Sequence, residues 1–325
     1  MWVTSSLATA LTPTAVALGN FDGIHRGHQQ VIQPILQYSS LLPHESEPIN
    51  PQERVNREGE HIYPTLATFY PHPREFFSGQ PWKLLTPKPE KVDQLKRLGI
   101  EQLVLLPFDR ELAALSPEQF VDKILIEQLR ATHVSVGEDF RFGYRRTGTA
   151  KDLQAIAATY GVQVSIVTIQ TCQGERISSS LIRQSLEAGD ILKANRLLGR
   201  PYSIKGQVVK GQQLGRTLGF PTANLEWFPD KFLPRNGVYC VRVSSTSFPD
   251  QWGVMNIGER PTVKGTCLTV EIHLLNWSGD LYGQTITVSL EQFLRPEKTF
   301  ASLDDLRKQI QADCAATITF FETQQ

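Results

Sequence analysis

Two histidines near the start of the chain follow a short apolar segment and a glycine-containing turn. The sequence Ala15-Val-Ala-Leu-Gly-Asn-Phe-Asp-Gly-Ile-His25-Arg-Gly-His28 indicates a buried strand, a turn and the start of a helix. Backbone N–H groups of such a turn and the helix dipole behind it favour an anion, and imidazolium groups can donate to phosphate oxygens. The pattern predicts a nucleotide site without a phosphate-binding lysine. A purely structural role stays open for His25, whereas a metal pair is disfavoured because no third ligand is near.

Three further segments place chemically useful side chains after predicted strands. They are Phe69–Phe77, Gly137–Gly143 and Arg176–Arg183. The carboxyl ends of parallel strands share one sheet edge, so we expect these segments to meet the two histidines there. Histidines, hydroxyls, arginines and aromatic rings together suit in-line attack on an α-phosphate, with the pyrophosphate leaving group held. Two simpler interpretations remain open, a helix cap at Ser178–Ser180 and ordinary core at Phe69–Phe77.

A second informative string lies beyond the middle of the chain. Gly211, Gly215 and Gly219 recur at every fourth position before Phe220-Pro-Thr222-Ala-Asn224. Such spacing in a polar setting suits a loop whose backbone comes close to phosphates. Thr222 and Asn224 offer neutral oxygens that suit a Mg²⁺ already bound to nucleotide phosphate. Taken alone, Pro-Thr-Ala-Asn is more often a turn than a metal site.

Glu271 lies between apolar residues in the predicted strand Leu268–Leu275. A carboxylate there is either solvent-facing or a base that deprotonates a substrate hydroxyl. Strand alternation places Glu271 on the face of His273, which slightly favours the solvent-facing interpretation.

The elements that position these residues change character along the chain. In the first half, strands predicted at 15–19, 65–69, 103–106, 133–136 and 162–167 alternate with helices predicted at 29–39, 89–98, 117–129 and 150–160. This alternation predicts an α/β domain with a parallel sheet. Two short helices, 181–188 and 191–198, follow. Beyond them a period-two pattern predicts strands at 203–209, 238–243, 252–257, 268–275 and 284–290, hence a small antiparallel barrel, and then a helix at 303–321.

Composition bounds the function further. The formal net charge is zero, so no basic field indicates a nucleic-acid partner. The four cysteines form no Cys-x-x-Cys pair, which indicates reduced thiols. No apolar run suits a membrane span and no signal peptide is evident, so we expect a cytoplasmic protein. The polar stretch 43–61 is expected to be a solvated insertion with no catalytic role.

The two motif sets resemble the prokaryotic bifunctional riboflavin kinase/FAD synthetase family, in which the synthetase is an FMN adenylyltransferase of the wider HxGH nucleotidyltransferase group. Asn236–Tyr239, Gly253–Gly258 and Phe293–Glu297 also fit. The resemblance covers nearly the whole chain apart from the insertion. It implies a Rossmann-like adenylyltransferase domain, expected at 1–187, and a flavokinase β-barrel domain with a C-terminal helix, expected at 188–325. No Walker A motif is present, which excludes a P-loop kinase.

The resemblance also implies roles for individual residues. Catalysis is assigned to His28 and Glu271, Mg²⁺ binding to Thr222 and Asn224, and activation of the riboflavin 5′-hydroxyl to Glu271. Contacts to the flavin are assigned to Phe69, His72, Pro73, Asp139 and Arg295. Nucleotide binding is assigned to Gly19, Phe21, Asp22, His25, His28, Arg176, Ser179, Ser180, Arg183, Gly211, Gly215, Arg216 and Gly219.

The expected activity is ATP-dependent phosphorylation of riboflavin to FMN, followed by adenylylation of FMN to FAD with release of pyrophosphate. The partners are then riboflavin, FMN and ATP, with Mg²⁺ as cofactor and the assembly state left open. Two other functions remain: an adenylyltransferase for a pantetheine or nicotinamide nucleotide with an accessory barrel, and a flavin-responsive binding protein without activity.

Overall fold

Strands and helices alternate along the first part of the chain, as its sequence predicts. The computed structural model describes residues 1–40, 61–211, 215, 218–262 and 265–324, with only the backbone described for residues 260–262 and 265–266. Residues 43–60 of the predicted insertion, and Arg216 of the predicted nucleotide site, lie outside this part. The chain divides into two compact units, Met1–Ile177 and Ser178–Gln325. The predicted domain boundary after residue 187 stays a prediction.

The first unit contains sixteen strands and α-helices among its described residues. In chain order they are β1 (Trp2–Thr4), β2 (Thr14–Leu18), α1 (Arg26–Ser40), β3 (Tyr63–Tyr70), α2 (Pro73–Ser78), α3 (Lys88–Arg97), β4 (Gln102–Pro107), α4 (Arg110–Ala114), α5 (Pro117–Phe120), β5 (Ala131–Gly137), β6 (Arg141–Phe142), β7 (Gly148–Thr149), α6 (Ala150–Ala158), β8 (Gln163–Val167), β9 (Thr171–Cys172) and β10 (Glu175–Arg176). Helix α5 continues as a π-helical segment, Val121–Gln128.

A parallel sheet forms the centre of this unit. In the described residues its strand order is β1-β4-β3-β2-β5-β8, and every neighbouring pair is parallel. Strand β2 is fully buried. Its alternate residues enter two different cores, Val16 and Leu18 on one face and Ala15 and Ala17 on the other. Both faces are therefore covered, as in a doubly wound α/β fold.

The strand order reverses direction at β2. The chain runs from β2 through β3 to β4 on one side, then returns to place β5 on the other side of β2. In open parallel sheets the crevice outside the carboxyl ends at such a switch point is where ligands bind. The loops after β2 and β5 border this crevice.

The second unit begins with two helices and continues as a barrel. Its elements are α7 (Ser179–Ala188), α8 (Ile191–Leu198), β11 (Tyr202–Val209), β12 (Ala223–Trp227), β13 (Gly237–Ser244), β14 (Gln251–Thr262), β15 (Gly265–Leu274), β16 (Thr285–Arg295) and α9 (Leu303–Glu322). In the described residues the strands close in the order β11-β12-β15-β14-β13-β16. All six pairings are antiparallel, which confirms the predicted barrel.

The sequence predicts all but two of the described strands in the parallel sheet and the barrel, and it predicts none of the two-residue strands β6, β7, β9 and β10. Strand β1 is a three-residue edge strand beside β4, too short to show a period. Strand β12 directly follows Pro221-Thr222, a pair that favours a turn in isolation, and pairing with β11 and β15 makes it extended. Tertiary pairing overrides the local signal in both places.

All four cysteines are free thiols, as predicted. Burial raises the pKa of Cys240 to about 11 and that of Cys314 to about 11. Both thiols therefore stay protonated at neutral pH and are poor nucleophiles.

Candidate active sites

The turn between β2 and α1 has an unusual backbone. The last sheet hydrogen bond of this strand runs from Gly19 N to Ala67 O, at 3.2 Å. Phe21 and Ile24 then adopt positive φ values of 46° and 42°, while both side chains are buried. Left-handed conformations of bulky residues are strained, and such strain is concentrated at functional sites. The buried side chains of Phe21 and Ile24 therefore hold this turn in a conformation that an isolated peptide would not adopt.

His25 and His28 lie against each other at the start of α1. Their rings stack with centroids 3.6 Å apart and an interplanar angle of 13°. The N–H of His28 donates to Nδ1 of His25 at 3.2 Å. Because that nitrogen accepts, it bears no proton in this arrangement, and His25 has its hydrogen on Nε2. A Cβ at Gly27 would lie 3.3 Å from the His25 ring, so the glycine leaves room for the stack.

Neighbouring elements hold this turn in place. The carbonyl of Asn20 accepts from Thr68 Oγ1 at 2.9 Å and from Lys91 Nζ at 3.3 Å. Asp22, which is 3% exposed, accepts from the backbone N–H of Thr86 at 3.3 Å. Sequence reasoning assigned no role to Lys91. The sequence nevertheless contains an indication that Lys91 is buried. Lys91 lies one helical turn before the buried Leu95, and a lysine on the apolar face of a helix is unusual.

The aromatic segment after β3 lies at the same sheet edge. The Phe69 ring meets Phe108 edge to face, with centroids 5.5 Å apart. His72 caps α2 by accepting from the backbone N–H of Arg74, Pro73 is the first residue of that helix, and the His72 ring stacks on Trp82. Phe69 therefore packs partly against the hydrophobic core, and His72 has a structural role as the N-cap of α2. Both stay within the predicted flavin-binding segment.

The loop after β5 supplies an ion pair. The carboxylate of Asp139 accepts from the guanidinium of Arg176 on β10, and both side chains are half exposed. The structure therefore brings together a predicted flavin contact and a predicted nucleotide contact. A Cβ at Gly137 would lie 3.1 Å from Asp139 Oδ1, so this loop turns tightly.

The serines of the second predicted motif open α7, in the second unit. Ser178 caps this helix by accepting from the backbone N–H of Leu181, at 3.2 Å, which confirms the capping interpretation for one serine. The guanidinium carbon of Arg183 lies 4.7 Å from the centre of the Phe232 ring. The contact of Ser179, Ser180 and Arg183 with nucleotide stays a prediction.

On the barrel, three polar residues form a row across neighbouring strands. Glu271 on β15 lies opposite Asn224 on β12 and opposite Asn256 on β14. Directly opposed residues share one face of a sheet. Val270 and Ile272 on either side of Glu271 are buried, so this row lies on the outer face of the barrel. The hydroxyl of Thr222 reaches Glu271 Oε2 at 3.4 Å.

The described glycines of the adjacent loop allow it to approach this row. A Cβ at Gly211 would lie 2.1 Å from Asn224 Nδ2. One at Gly215 would lie 3.2 Å from Thr222 Oγ1 and only 2.3 Å from the carbonyl oxygen of Phe220. Gly219 instead has a φ of +86° and open space around it, so it serves the backbone conformation.

A cavity opens beside the row on the β12 side. Its volume is about 340 Å³, and its lining includes Lys210, Gly211, Asn224, Trp227 and Thr269. A cation, an aromatic ring and amide and hydroxyl groups are a suitable lining for a nucleotide.

Replacing Gly211 by alanine tests the close approach of the Gly211 backbone to the Asn224 side chain. The new methyl must displace the Asn224 amide, and we expect kcat/KM for the riboflavin phosphorylation that the family resemblance implies to fall about 10- to 100-fold. The FMN adenylylation implied by the same resemblance should be unchanged. Gly283→Ala is the control for backbone strain alone, since Gly283 has a positive φ and a Cβ there would meet no atom within 4 Å. Equal losses in the two variants would contradict the proposed contact. The measurement is initial rates with riboflavin and with FMN as separate substrates.

Two residues of this site were missed from the sequence. Asn256 lies inside an otherwise apolar strand, and only cross-strand register brings it to Glu271. Glu297 follows β16, and a Cβ at Gly258 would lie 1.9 Å from its Oε1 and 3.1 Å from Asn256 Nδ2. The Gly253–Gly258 and Phe293–Glu297 segments fit the family resemblance, but the sequence predicts no role for the side chains of Asn256 and Glu297.

Arg295, a predicted flavin contact, is held by the C-terminal helix. Its Nε and Nη2 donate to Asp313 at 3.0 and 2.8 Å, and its Nη1 donates to the Pro296 carbonyl at 3.1 Å. Gln309 Nε2 donates to the same carboxylate at 2.9 Å. The side chains of Arg295 and Asp313 are 15% and 7% exposed. The ion pair fixes the chain where it leaves β16, just before Glu297.

Removing one partner of this buried pair should destabilise the protein. Asp313→Ala leaves the buried guanidinium without its carboxylate partner and with little water to replace it, and we expect the free energy of unfolding to fall by about 3–5 kcal/mol. Lys308→Ala, on an exposed position of the same helix, is the control and should cost less than about 0.5 kcal/mol. Urea unfolding measures both. A loss for Asp313→Ala no larger than that of the control would contradict this account.

Within the described part of the chain, no helix combines the length and apolarity needed to cross a membrane. No three His, Cys, Asp or Glu side chains among the described residues are grouped as metal ligands. The oxygens of Thr222, Asn224 and Glu271 are nevertheless the hard donors that Mg²⁺ prefers.

Comparison with known proteins gives two family matches in the same order as the two units. The FAD synthetase family model matches residues 7–181, and the riboflavin kinase family model matches residues 198–321. Curated relatives named bifunctional riboflavin kinase/FMN adenylyltransferase include that of Escherichia coli strain K12, 38% identical over 307 residues, 94% of this chain and 92% of the relative. The protein of the same name from Bacillus subtilis strain 168 is 34% identical over 317 residues, 95% and 92% of the two chains.

A solved structure is similar over the whole chain. It is a protein from Streptococcus pneumoniae named as a macrolide-efflux protein, with a TM-score of 0.81 and 29% identity. The match covers 97% of each chain. Both matched family models describe transferases that use ATP, so this chain is a two-domain, ATP-dependent transferase. It belongs to the bifunctional riboflavin kinase/FMN adenylyltransferase family.

Proposed function

We propose that the chain makes FAD in two steps, the first at the row of polar residues on the barrel and the second at the crevice of the parallel sheet. At the barrel, the riboflavin 5′-hydroxyl oxygen attacks the γ-phosphorus of ATP, giving FMN and ADP. At the crevice of the parallel sheet, a phosphate oxygen of FMN attacks the α-phosphorus of a second ATP, giving FAD and pyrophosphate. The observation that carries the proposal is the row Asn224–Glu271–Asn256, which places a carboxylate between two amides beside the cavity lined by Lys210 and Gly211.

Glu271 is the proposed base of the kinase step. It accepts the proton of the riboflavin hydroxyl as the oxygen attacks, a role that requires a carboxylate within hydrogen-bond reach. The Thr222 hydroxyl, 3.4 Å away, orients the carboxylate. Thr222 and Asn224 supply oxygens for Mg²⁺, which, when bound, neutralises charge on the ATP phosphates.

The two sides of the row suit different substrates. The cavity, Gly211 and Gly215 lie on the β12 side. They are proposed to hold ATP together with Gly219 and Arg216. Asn256, Glu297 and Arg295 belong to the β14 and β16 side, where the flavin is proposed to bind. Glu271 between them can then face both the hydroxyl and the phosphate.

At the crevice, catalysis is proposed to be electrostatic. The segment Gly19–Asp22 and the rings of His25 and His28 meet the ATP phosphates, and His28 donates to the oxygens on which charge develops. The resemblance supports nucleotide contacts as the proposed role of Arg176, Ser179, Ser180 and Arg183. Phe69, His72, Pro73 and Asp139 are proposed to contact the flavin. We also propose the domain limits 1–187 and 188–325 and a cytoplasmic location.

The test identifies the flavins that the chain forms over time. The purified chain is incubated with riboflavin, ATP and Mg²⁺, and the flavins are separated by chromatography over time. FMN should rise first and FAD later, and a chelator should stop the phosphorylation. FAD formation from added FMN but none from riboflavin would refute the kinase half. A product formed from a pantetheine or nicotinamide nucleotide would refute the flavin assignment.

A further inference from the structure

A lysine is buried beside the turn that precedes α1. Lys91 is 6% exposed, although lysine is rarely buried without a specific partner. It also lies in the first turn of α3, its N–H bonded to the Pro87 carbonyl at 2.8 Å. The positive end of a helix dipole disfavours a cation there. Burial and the dipole both disfavour a charged group here, so specific contacts must hold the ammonium group in place.

The ammonium group bonds to the turn between β2 and α1. Lys91 Nζ donates to the Asn20 carbonyl at 3.3 Å, and Thr68 Oγ1 donates to the same oxygen at 2.9 Å. A few residues earlier in the chain, the backbone N–H of Thr86 donates to Asp22 Oδ1. The segment Thr86–Lys91 therefore contacts this turn at two points, Asn20 and Asp22.

These bonds fix the orientation of one peptide group. The Asn20–Phe21 bond is not among the cis peptides of the chain. A trans peptide is planar, with its C=O and N–H pointing in opposite directions. Two donors on the Asn20 oxygen therefore direct the Phe21 N–H away from Lys91 and Thr68. The next residues include the strained Phe21 and Ile24, whose positive φ values need support from their surroundings.

We propose that Lys91 is a positioning residue for adenylyl transfer, acting with Thr68 through the Asn20 carbonyl to set the phosphate-facing backbone of the turn. This inference rests on the proposed adenylyltransferase site. The ammonium contacts protein and not substrate. Its loss changes how well the turn meets the ATP phosphates and leaves flavin binding as it is.

The test compares paired variants of the full chain in FMN adenylylation. Lys91→Met keeps the chain length but removes the donor, and kcat/KM for ATP should fall about 10- to 100-fold. KM for FMN should stay within about twofold. Lys96→Met, on an exposed position of the same helix, is the matched control. Urea unfolding of each variant measures whether the first unit, which contains Lys91, has folded, and riboflavin phosphorylation measures the same for the barrel unit.

Thr68 provides a second, independent arm. Thr68→Val removes the other donor to the Asn20 carbonyl and should also lower kcat/KM for ATP, whereas Thr68→Ser keeps the hydroxyl and should restore activity. Since both donors act on one oxygen, the double variant Lys91→Met/Thr68→Val should lose less than the product of the single losses.

Three outcomes would overturn the inference: full activity in Lys91→Met, full activity in Thr68→Val, or fully multiplicative losses in the double variant. If the unaltered chain makes no FAD from FMN, the proposed adenylyltransferase function itself fails. That result is distinguishable from the other three because it is seen before any substitution.

Discussion

Glu271→Gln should abolish riboflavin phosphorylation while leaving FMN adenylylation intact. The amide keeps the shape of the side chain and can still meet Thr222, but it cannot accept the proton of the attacking hydroxyl. Positioned general bases contribute about 10²- to 10⁴-fold, so kcat should fall by that factor. FMN formation from riboflavin and FAD formation from added FMN are measured separately.

The control for this variant is Glu226→Gln. Glu226 lies two residues beyond Asn224 on β12 and is exposed, so the same chemical change there should leave both activities unchanged. Loss of both activities in well-folded Glu271→Gln would contradict the assignment of the two steps to separate sites. An unchanged kcat would remove Glu271 from the role of base.

His28→Ala should have the opposite selectivity, with adenylylation lost and phosphorylation kept. The substitution removes a donor to the developing phosphate charge, and loss of one such donor costs about 10²- to 10³-fold in kcat. It also removes the ring that stacks on His25 at 3.6 Å, so His25 loses one of its packing partners. FAD formation from added FMN measures the effect.

A histidine elsewhere in the same unit supplies the control. His61 pairs with Glu101 at 2.7 Å, and His61→Ala should leave both activities unchanged. If His28→Ala retains full adenylylation, the crevice beside β2 is not the site of the second step. If it also loses riboflavin phosphorylation, the two activities are not separable.

The sequence was sufficient to predict both folds and the position of most site segments. Alternation of strand and helix patterns gives a parallel sheet, and its carboxyl edge necessarily gathers the loops after β2, β3 and β5. The barrel followed from the change to period two. Thr222, Asn224 and Glu271 were predicted together only through the family resemblance, and the described structure brings them side by side.

What the sequence could not show depends on contacts between distant residues. Asn256 joins the row only through the register of β14 against β15. Lys91 and Asn20 are 71 residues apart, and nothing local indicates that they meet. Arg295 was predicted to contact flavin, but its ion pair with Asp313 needs the return of α9 to the barrel. Local patterns specify elements, while such pairings need the folded chain.

The row on the outer barrel face makes enzyme turnover a sensitive reporter of strand alignment. Side chains alternate between the two faces of a strand, so a slip of β15 by one residue would turn Glu271 inward and bring Val270 or Ile272 outward. A misaligned barrel could keep its strand content and still have no base in reach of a hydroxyl. During refolding, recovered riboflavin phosphorylation should therefore lag behind recovered β-structure until the last strand pairs correctly.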